Sequence, residues 1–355
     1  MSDSRTVPPS ALPGLDLTVL AAFLKRSCIA VQGDLYGRLL AGGRSNLTYL
    51  VGDDTHRWVL RRPPLGHVLP TAHDMRREYR AIAALSPSQV PVPEPVLCCD
   101  DPAVLGAPFY LMEHVDGIVY RSDEQLGNVS PPDADRIADG LVDTLVALHS
   151  VDPAEVGLAD FGRPDGYLTR QLSRLAKGLD SSRTRDIPGL TELGDRLAAS
   201  VPARALPAIV HGDYRLDNVI IDAEDPGRVA AVLDWEMATL GDPLVDLANA
   251  LVFWDGLKDL QRVIAAPPSG HSAFPDRERL MERYAAGTGR QLDDLPWYLA
   301  FVQYKFAAIC EGIHYRHTRG ETVGEGFDRI GQVLSDVVAL GRLSLADLHR
   351  MQDAS

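Results

Sequence analysis

IVHGDYRLDNVIIDAEDPGRVAAVLDWEMATLGDPLVD, residues 209–246, decides how the chain is read. A short apolar run ends in a polar turn, His211-Gly212-Asp213-Tyr214-Arg215-Leu216-Asp217-Asn218. Two apolar runs follow, Val219-Ile220-Ile221 and Val229-Ala230-Ala231-Val232-Leu233, and the second stops at Asp234-Trp235-Glu236. Runs this short read as strands bounded by turns. Asp213, Asn218 and Asp234 therefore stand at strand ends, where a polar side chain faces a cleft while its neighbours anchor in a core. A plain hairpin also favours Asp and Asn in its turns. The ordered set, continued by Gly241-Asp242-Pro243-Leu244-Val245-Asp246, is far more restrictive than any single residue in it.

An aspartate, an asparagine five residues later and an aspartate at the next strand end are the parts phosphoryl transfer uses. One carboxylate accepts or orients an acceptor hydroxyl; an amide oxygen and a second carboxylate hold Mg²⁺ against the phosphates. HGDYRLDN, VLDWE and GDPLVDLAN resemble the catalytic and metal-binding segments of the aminoglycoside phosphotransferase family, kinase-like enzymes that act on small molecules. More narrowly, the chain is similar to the branch that includes kinase-like domains fused to acyl-CoA dehydrogenases, from about residue 35 to about residue 320.

The resemblance implies an α+β, protein-kinase-like two-lobed fold. A small antiparallel-sheet N-lobe would span residues 14–113 and a mainly helical C-lobe residues 114–355, after a Ser- and Pro-rich N-terminus, residues 1–13, that reads as disordered. It implies ATP and Mg²⁺ as cofactors. Asp213 becomes the catalytic base or the residue that orients the acceptor, and Asn218 and Asp234 the metal ligands. Arg215 becomes a cation near the transferring phosphoryl, with a surface contact as its alternative. His211 stabilises the loop, and Asp242 and Asp246 brace it through backbone hydrogen bonds.

Toward the N-terminus, residues 15–28 and 72–85 carry helical periodicity, and residues 39–51 read as strand, tight turn and strand. The turn lacks the GxxxxGK[ST] pattern of a P-loop. The resemblance makes it a lid over phosphates, with Gly43 allowing close backbone approach and Ser45 and Asn46 offering donors. The next strand, Arg57-Trp58-Val59-Leu60-Arg61-Arg62, stands where kinase-like folds place a phosphate-binding lysine, yet no lysine occurs between positions 25 and 177. An arginine must substitute. Side chains alternate across a strand, so Val59 and Arg61 share one face and Leu60 and Arg62 the other. The family pattern selects Val59 against adenine and Arg61 on the phosphates, leaving Arg62 as the surface residue. Glu78 matches the glutamate that pairs with that cation. Backbone groups of Glu113, His114 and Val115 would read the purine at the lobe boundary.

Toward the C-terminus, residues 133–149 form a core helix whose terminal His149 is structural. Residues 165–200 give two helical patterns, with Arg170, Arg174, Arg183 and Arg185 solvated, and the resemblance implies that they help wall the acceptor site. A helix starting near Asp294 is apolar except for Lys305, Glu311, His314, Tyr315 and Arg316, which must find structural or substrate partners.

Composition narrows the class. A formal charge of −14 argues against nonspecific nucleic-acid or anionic-membrane partners. No apolar run reaches the roughly 18–20 residues of a membrane span, and no basic-then-apolar leader opens the chain, so a cytoplasmic enzyme is expected. The four cysteines lack CxxC spacing and read as reduced. The reading is therefore an ATP- and Mg²⁺-dependent phosphotransferase acting on the hydroxyl of a small molecule, such as a hydroxyacyl compound or another metabolic alcohol. Two alternatives stand beside it: an aminoglycoside-type antibiotic kinase, and a nucleotide-binding pseudokinase whose only support is the missing strand lysine.

Overall fold

The structure, a computed structural model, describes residues 12–41, 46–65, 74–183, 185–203, 207–255, 266–320 and 334–353. Most of the N-terminal stretch expected to be disordered lies outside these residues, as do Gly43 and Ser45 of the expected lid. The chain divides into two compact units. The first comprises Met1–Pro87, Val92–Asp116 and Asp234–Glu236; the second comprises Ser88–Pro91, Gly117–Leu233 and Met237–Ser355.

In the first unit α1 (Leu17–Arg26) begins at Asp16, whose carboxylate accepts from the Thr18 and Val19 amides. Five antiparallel strands follow: β1 (Tyr36–Ala41), β2 (Leu47–Gly52), β3 (Arg57–Arg62), β4 (Pro95–Cys99) and β5 (Phe109–Glu113). They lie in the order β1-β2-β3-β5-β4. Helix α2 (Met75–Leu85) lies between β3 and β4 in sequence, and the single turn α3 (Pro102–Leu105) between β4 and β5. One sheet face presents Tyr49, Trp58, Leu60 and Leu111 to Leu17, Leu20 and Leu24 of α1, forming the core of this unit.

Strand alternation then puts Arg62 on the α1 side and Arg61 on the other. Arg62 is not the surface residue expected. It is 4% exposed and donates to the Leu105 carbonyl at 2.9 Å and to the Gly14 carbonyl. The sheet period places it correctly, but the carbonyls that draw it inward come from two distant segments.

The second unit holds α4 (Asp123–Gly127), α5 (Pro131–Ser150), α6 (Tyr167–Ser182) and α7 (Leu190–Ala199). Two small antiparallel ribbons follow: β6 (Ala208–Val210) with β9 (Thr239–Gly241), and β7 (Val219–Ile221) with β8 (Val229–Val232). Helices α8 (Leu244–Trp254), α9 (Arg277–Thr288), α10 (Leu295–Thr318) and α11 (Leu334–Asp353) complete it. In α8 every residue but Phe253 is buried, including Asp246 and Asn249, so the helix carries no amphipathic pattern to announce it. Among the described residues no helix is long and apolar enough to cross a membrane.

Candidate active site

Arg61 is the centre of the first unit's polar cluster. Strand pairing aligns it with Thr48 on β2 and Tyr110 on β5. Its Nη2 lies 2.8 Å from Asp234 Oδ1, a hydrogen bond, and 3.0 Å from Glu78 Oε1. Glu78 reaches that position because it falls on the buried stripe of α2 with Met75, Ala81, Ile82 and Leu85. Its side chain is 1% exposed and that of Arg61 12%, so the pair is buried. Burial pushes the Glu78 carboxyl up to about 7, with Arg61 pulling it back and Asp234 adding to the rise. Burial opposes the Arg61 charge too, but Glu78, Tyr110 and Asp234 outweigh it and hold the guanidinium above its ordinary value. Arg61 Nε is nonetheless buried with no hydrogen-bond partner among the described residues. A cation with a spare donor suits an anion such as phosphate.

Asp234 adopts φ +66°, the left-handed region that a non-glycine residue rarely occupies and that Asp tolerates better than most. Asn46, expected on the lid, is buried and donates Nδ2 to Glu236 Oε2 at 3.2 Å. Val59 is buried beside Met112 on the face it shares with Arg61. At the expected purine-reading segment the Glu113 and His114 amides donate to the Glu94 and Arg57 carbonyls at 2.8 and 3.0 Å. Among the described residues the Val115 amide makes no such backbone bond, and the Glu113 carbonyl lies on the same segment.

The second unit holds the loop expected to be catalytic, residues 211–218. After β6 the chain turns at Gly212, φ +85°, where a Cβ would stand 2.9 Å from the Met237 carbonyl oxygen. Buried Asp246 fixes this turn, accepting from the His211 amide at 2.6 Å and the Gly212 amide at 2.7 Å. His149 Nε2 stands 3.4 Å from the same carboxylate, while its Nδ1 meets the Tyr284 hydroxyl at 2.7 Å. Asp242 was expected to brace the loop as well. It instead accepts from the Tyr298 hydroxyl at 2.5 Å and from the Leu244 amide at the start of α8.

His211 is fully buried. The Asp213 amide donates to its Nδ1 at 3.2 Å, so the ring proton sits on Nε2, 2.8 Å from the Leu233 carbonyl. Both ring nitrogens are thus engaged, which fits a structural residue better than a proton carrier.

Asp213 is held from three sides. Asn218 Nδ2 donates to its Oδ2 at 2.9 Å and to its carbonyl at 2.8 Å, Arg215 Nε stands 3.3 Å from Oδ2, and Asn249 Nδ2 3.4 Å from Oδ1. The side chain keeps 27% of its exposure, enough to meet an acceptor. Arg215 Nε is also 3.3 Å from Asp217 Oδ1, and its guanidinium lies 4.6 Å from the Phe253 ring centre. These contacts tie Arg215 to the loop itself. Sequence reading assigned nothing to Asn249 or Phe253; a lone amide in the apolar run LVDLANALVFW was the available signal.

Each unit, taken by itself, offers an oxygen of the kind a hard cation takes, Asn218 in the second and Asp234 in the first. Among the described residues both hydrogen bonds of the Asn218 amide leave from Nδ2, which leaves Oδ1 as an acceptor, and Asp234 is one-third exposed with Oδ2 outside the Arg61 bond. Among the described residues no three His, Cys, Asp or Glu side chains gather as a metal cage. Mg²⁺ in kinases takes one or two protein oxygens and completes its shell from phosphates and water.

Residues 37–301 match the model of the phosphotransferase enzyme family. The chain is 36% identical over 316 residues to acyl-CoA dehydrogenase family member 11 of Gallus gallus, covering 87% of this chain and 40% of that protein. It is 34% identical over 286 residues to the Homo sapiens protein of the same name, covering 80% and 36%. The chain thus spans about two fifths of the length of these relatives. Among solved structures it is similar to a putative aminoglycoside phosphotransferase from Ralstonia eutropha JMP134, with TM-score 0.80 and 32% identity over 94% of this chain and 98% of that one. The GDP and kanamycin complex of an aminoglycoside phosphotransferase shares the fold at TM-score 0.59 and 17% identity, over 93% and 99%.

Proposed function

Since this chain belongs to the phosphotransferase enzyme family, we propose that it transfers the γ-phosphoryl group of ATP, with Mg²⁺, to a hydroxyl of a small metabolic molecule. The observation that carries the reading is Arg61, whose Nη2 contacts Glu78 and Asp234 in the place where kinase-like folds use lysine. The missing lysine was the only argument for a catalytically silent nucleotide binder, and an ion-paired arginine in its place supports the catalytic reading.

In the first unit Arg61 binds the phosphates through its spare donors, Asp234 is a metal ligand, and the Glu113 carbonyl and Val115 amide read the purine. In the second unit Asn218 is a metal ligand, and Asp213 accepts and orients the acceptor hydroxyl, with Asn218, Arg215 and Asn249 fixing its carboxylate. Mg²⁺, when bound, neutralises phosphate charge and fixes the angle of the transferring group. The protein's own contribution is positioning and charge complementarity.

For the acceptor, similarity to proteins named for acyl-CoA dehydrogenation supports a hydroxylated acyl compound over a polycationic antibiotic. A cavity of about 330 Å³ between α6, α7 and α10 is lined by Leu172, Leu179 and Leu190 but also by Asp180, Arg183 and Asp195, so it suits a ligand with both apolar and polar parts and does not by itself choose the acceptor. The test is transfer from labelled ATP with Mg²⁺ across hydroxyacyl compounds, amino alcohols, sugars and aminoglycosides. The expected result is a labelled hydroxyacyl or alcohol product, absent with Asp213→Ala. Label on aminoglycosides alone would overturn the acceptor class, and label undiminished in folded Asp213→Ala would overturn the role of Asp213.

A further inference from the structure

Arginine supplies nearly all the positive charge of this chain, and only positions 25, 177, 258 and 305 are lysine. Lys305 is the one set into the buried helix α10, between Tyr304 and Phe306, both of which are buried. An ammonium there is costly unless it is paired. Its Nζ donates to the Gly212 carbonyl at 2.6 Å, across 93 residues of sequence. That carbonyl belongs to the peptide linking Gly212 to Asp213, while the preceding peptide is held through the Gly212 amide by Asp246. The residue before Asp213 is therefore gripped on both sides, by a carboxylate on its N–H and an ammonium on its C=O.

The neighbour of Lys305 reinforces the same loop. The Phe306 ring meets Phe253 edge-on at 5.7 Å, and Phe253 carries the Arg215 guanidinium that faces Asp213. Two consecutive residues of α10 thus support the loop on either side of Asp213, one through backbone and one through a stacked cation. A charge-assisted bond from a compact ammonium suits a single carbonyl, whereas the planar fork of arginine suits a paired acceptor.

We propose that Lys305 is a positioning residue for phosphoryl transfer, clamping the Gly212–Asp213 peptide so that the Asp213 carboxylate is presented in one orientation. The inference rests on the kinase reading above and adds a residue to it. An error of about 1 Å in placing a reacting group costs on the order of 10²-fold in rate, and a backbone clamp guards against such an error.

The test uses the full chain with Lys305→Met, which keeps the stem and removes the charge, and Lys305→Arg. Mg-ATP turnover is measured with water as acceptor, alongside the KM for Mg-ATP and amide hydrogen exchange of residues 211–218 and of α10. In Lys305→Met turnover should fall on the order of 10²-fold, with KM within about twofold, as expected for an interaction that serves the transition state rather than ground-state binding. The amides of 212–214 should exchange faster while α10 keeps its protection. Lys305→Arg should fall between the two. Wild-type turnover in Lys305→Met, or a general loss of protection in α10, would overturn the proposal. If the wild-type chain turns over no ATP with water or any acceptor in the panel, the kinase reading fails separately, and unchanged exchange at 212–214 would then also remove the clamp.

Discussion

The two polar clusters are built on opposite plans. Around Arg61 charge is set against charge: a guanidinium between two carboxylates, buried, with one donor left over. Around Asp213 the backbone is held by side chains: Asp246 on two amides, Lys305 on a carbonyl, Asn218 on another carbonyl, and His211 linking two strand ends. The first plan is electrostatic and incompletely satisfied, which suits a group that must accept an anion. The second is geometric, which suits a group that must point in one direction. Mutations should separate the two plans through pH dependence in the first and backbone protection in the second.

The largest effect is expected at Arg61→Met. It strands Glu78 as a buried carboxylate, and removing one partner of a buried pair costs about 3–5 kcal/mol. At pH 8 denaturant unfolding should show a loss of that order. It should shrink toward pH 6, where Glu78 takes up a proton, and the double change with Glu78→Gln should recover most of it. A loss equal at both pH values would mean that packing, not charge, dominates this cluster.

Asp246→Asn tests the other plan. The amide supplies one oxygen where two N–H groups need acceptors, so one of the His211 and Gly212 amides is orphaned at about 1–3 kcal/mol. The loss should appear as faster exchange at residues 211–213. Unchanged exchange at residues 211–213 would erase the distinction between the clusters.

How much of this was legible in the sequence differs between the clusters for the same physical reason. The face shared by Val59 and Arg61 follows from strand period alone and the helix over residues 72–85 from its 3.6-residue period, while the choice of Glu78 within it comes from the resemblance. Their meeting is a matter of local geometry plus one register. The supports of Asp213 come from α5, α8 and α10, and no local pattern says that Lys305 ends on a carbonyl 93 positions earlier. Arg62 failed likewise: alternation placed it on the correct face, but its burial depends on the Gly14 and Leu105 carbonyls. Helix α8 was hidden by being apolar on all sides.

Smaller effects sharpen the picture within the first unit. Asp53, in the turn between β2 and β3, accepts from the Gln32, Thr55 and His56 amides at 2.8, 2.7 and 2.6 Å. Burial raises its carboxyl, but these bonds outweigh that and hold it below the usual range. Asp53→Asn should cost about 0.5–1.5 kcal/mol. A depressed folded-state value means this stability is present at neutral pH and is lost as pH falls below the ordinary carboxyl range. Urea midpoints at pH 7 and pH 3 check it, and an equal deficit at both would refute the assignment.

A further pH-linked effect belongs to Glu78 in the wild-type chain. Its folded value of about 7 lies above the ordinary 4.5. The folded state therefore holds a proton that the unfolded state releases, and stability relative to Glu78→Gln should decline as pH rises from 4.5 to 7. A rising difference would reverse the sign assigned to burial.

The most direct measurement of the central claim, that Arg61 serves nucleotide binding and Asp213 serves transfer, is Mg-ATP affinity and phosphoryl-transfer rate measured together on wild type, Arg61→Lys and Asp213→Ala. The account predicts that Asp213→Ala binds Mg-ATP within about twofold of wild type and loses roughly 10²- to 10⁴-fold in transfer. Arg61→Lys should weaken binding while retaining transfer at saturating nucleotide. Unchanged transfer in folded Asp213→Ala, or unchanged nucleotide affinity in Arg61→Lys, would contradict it.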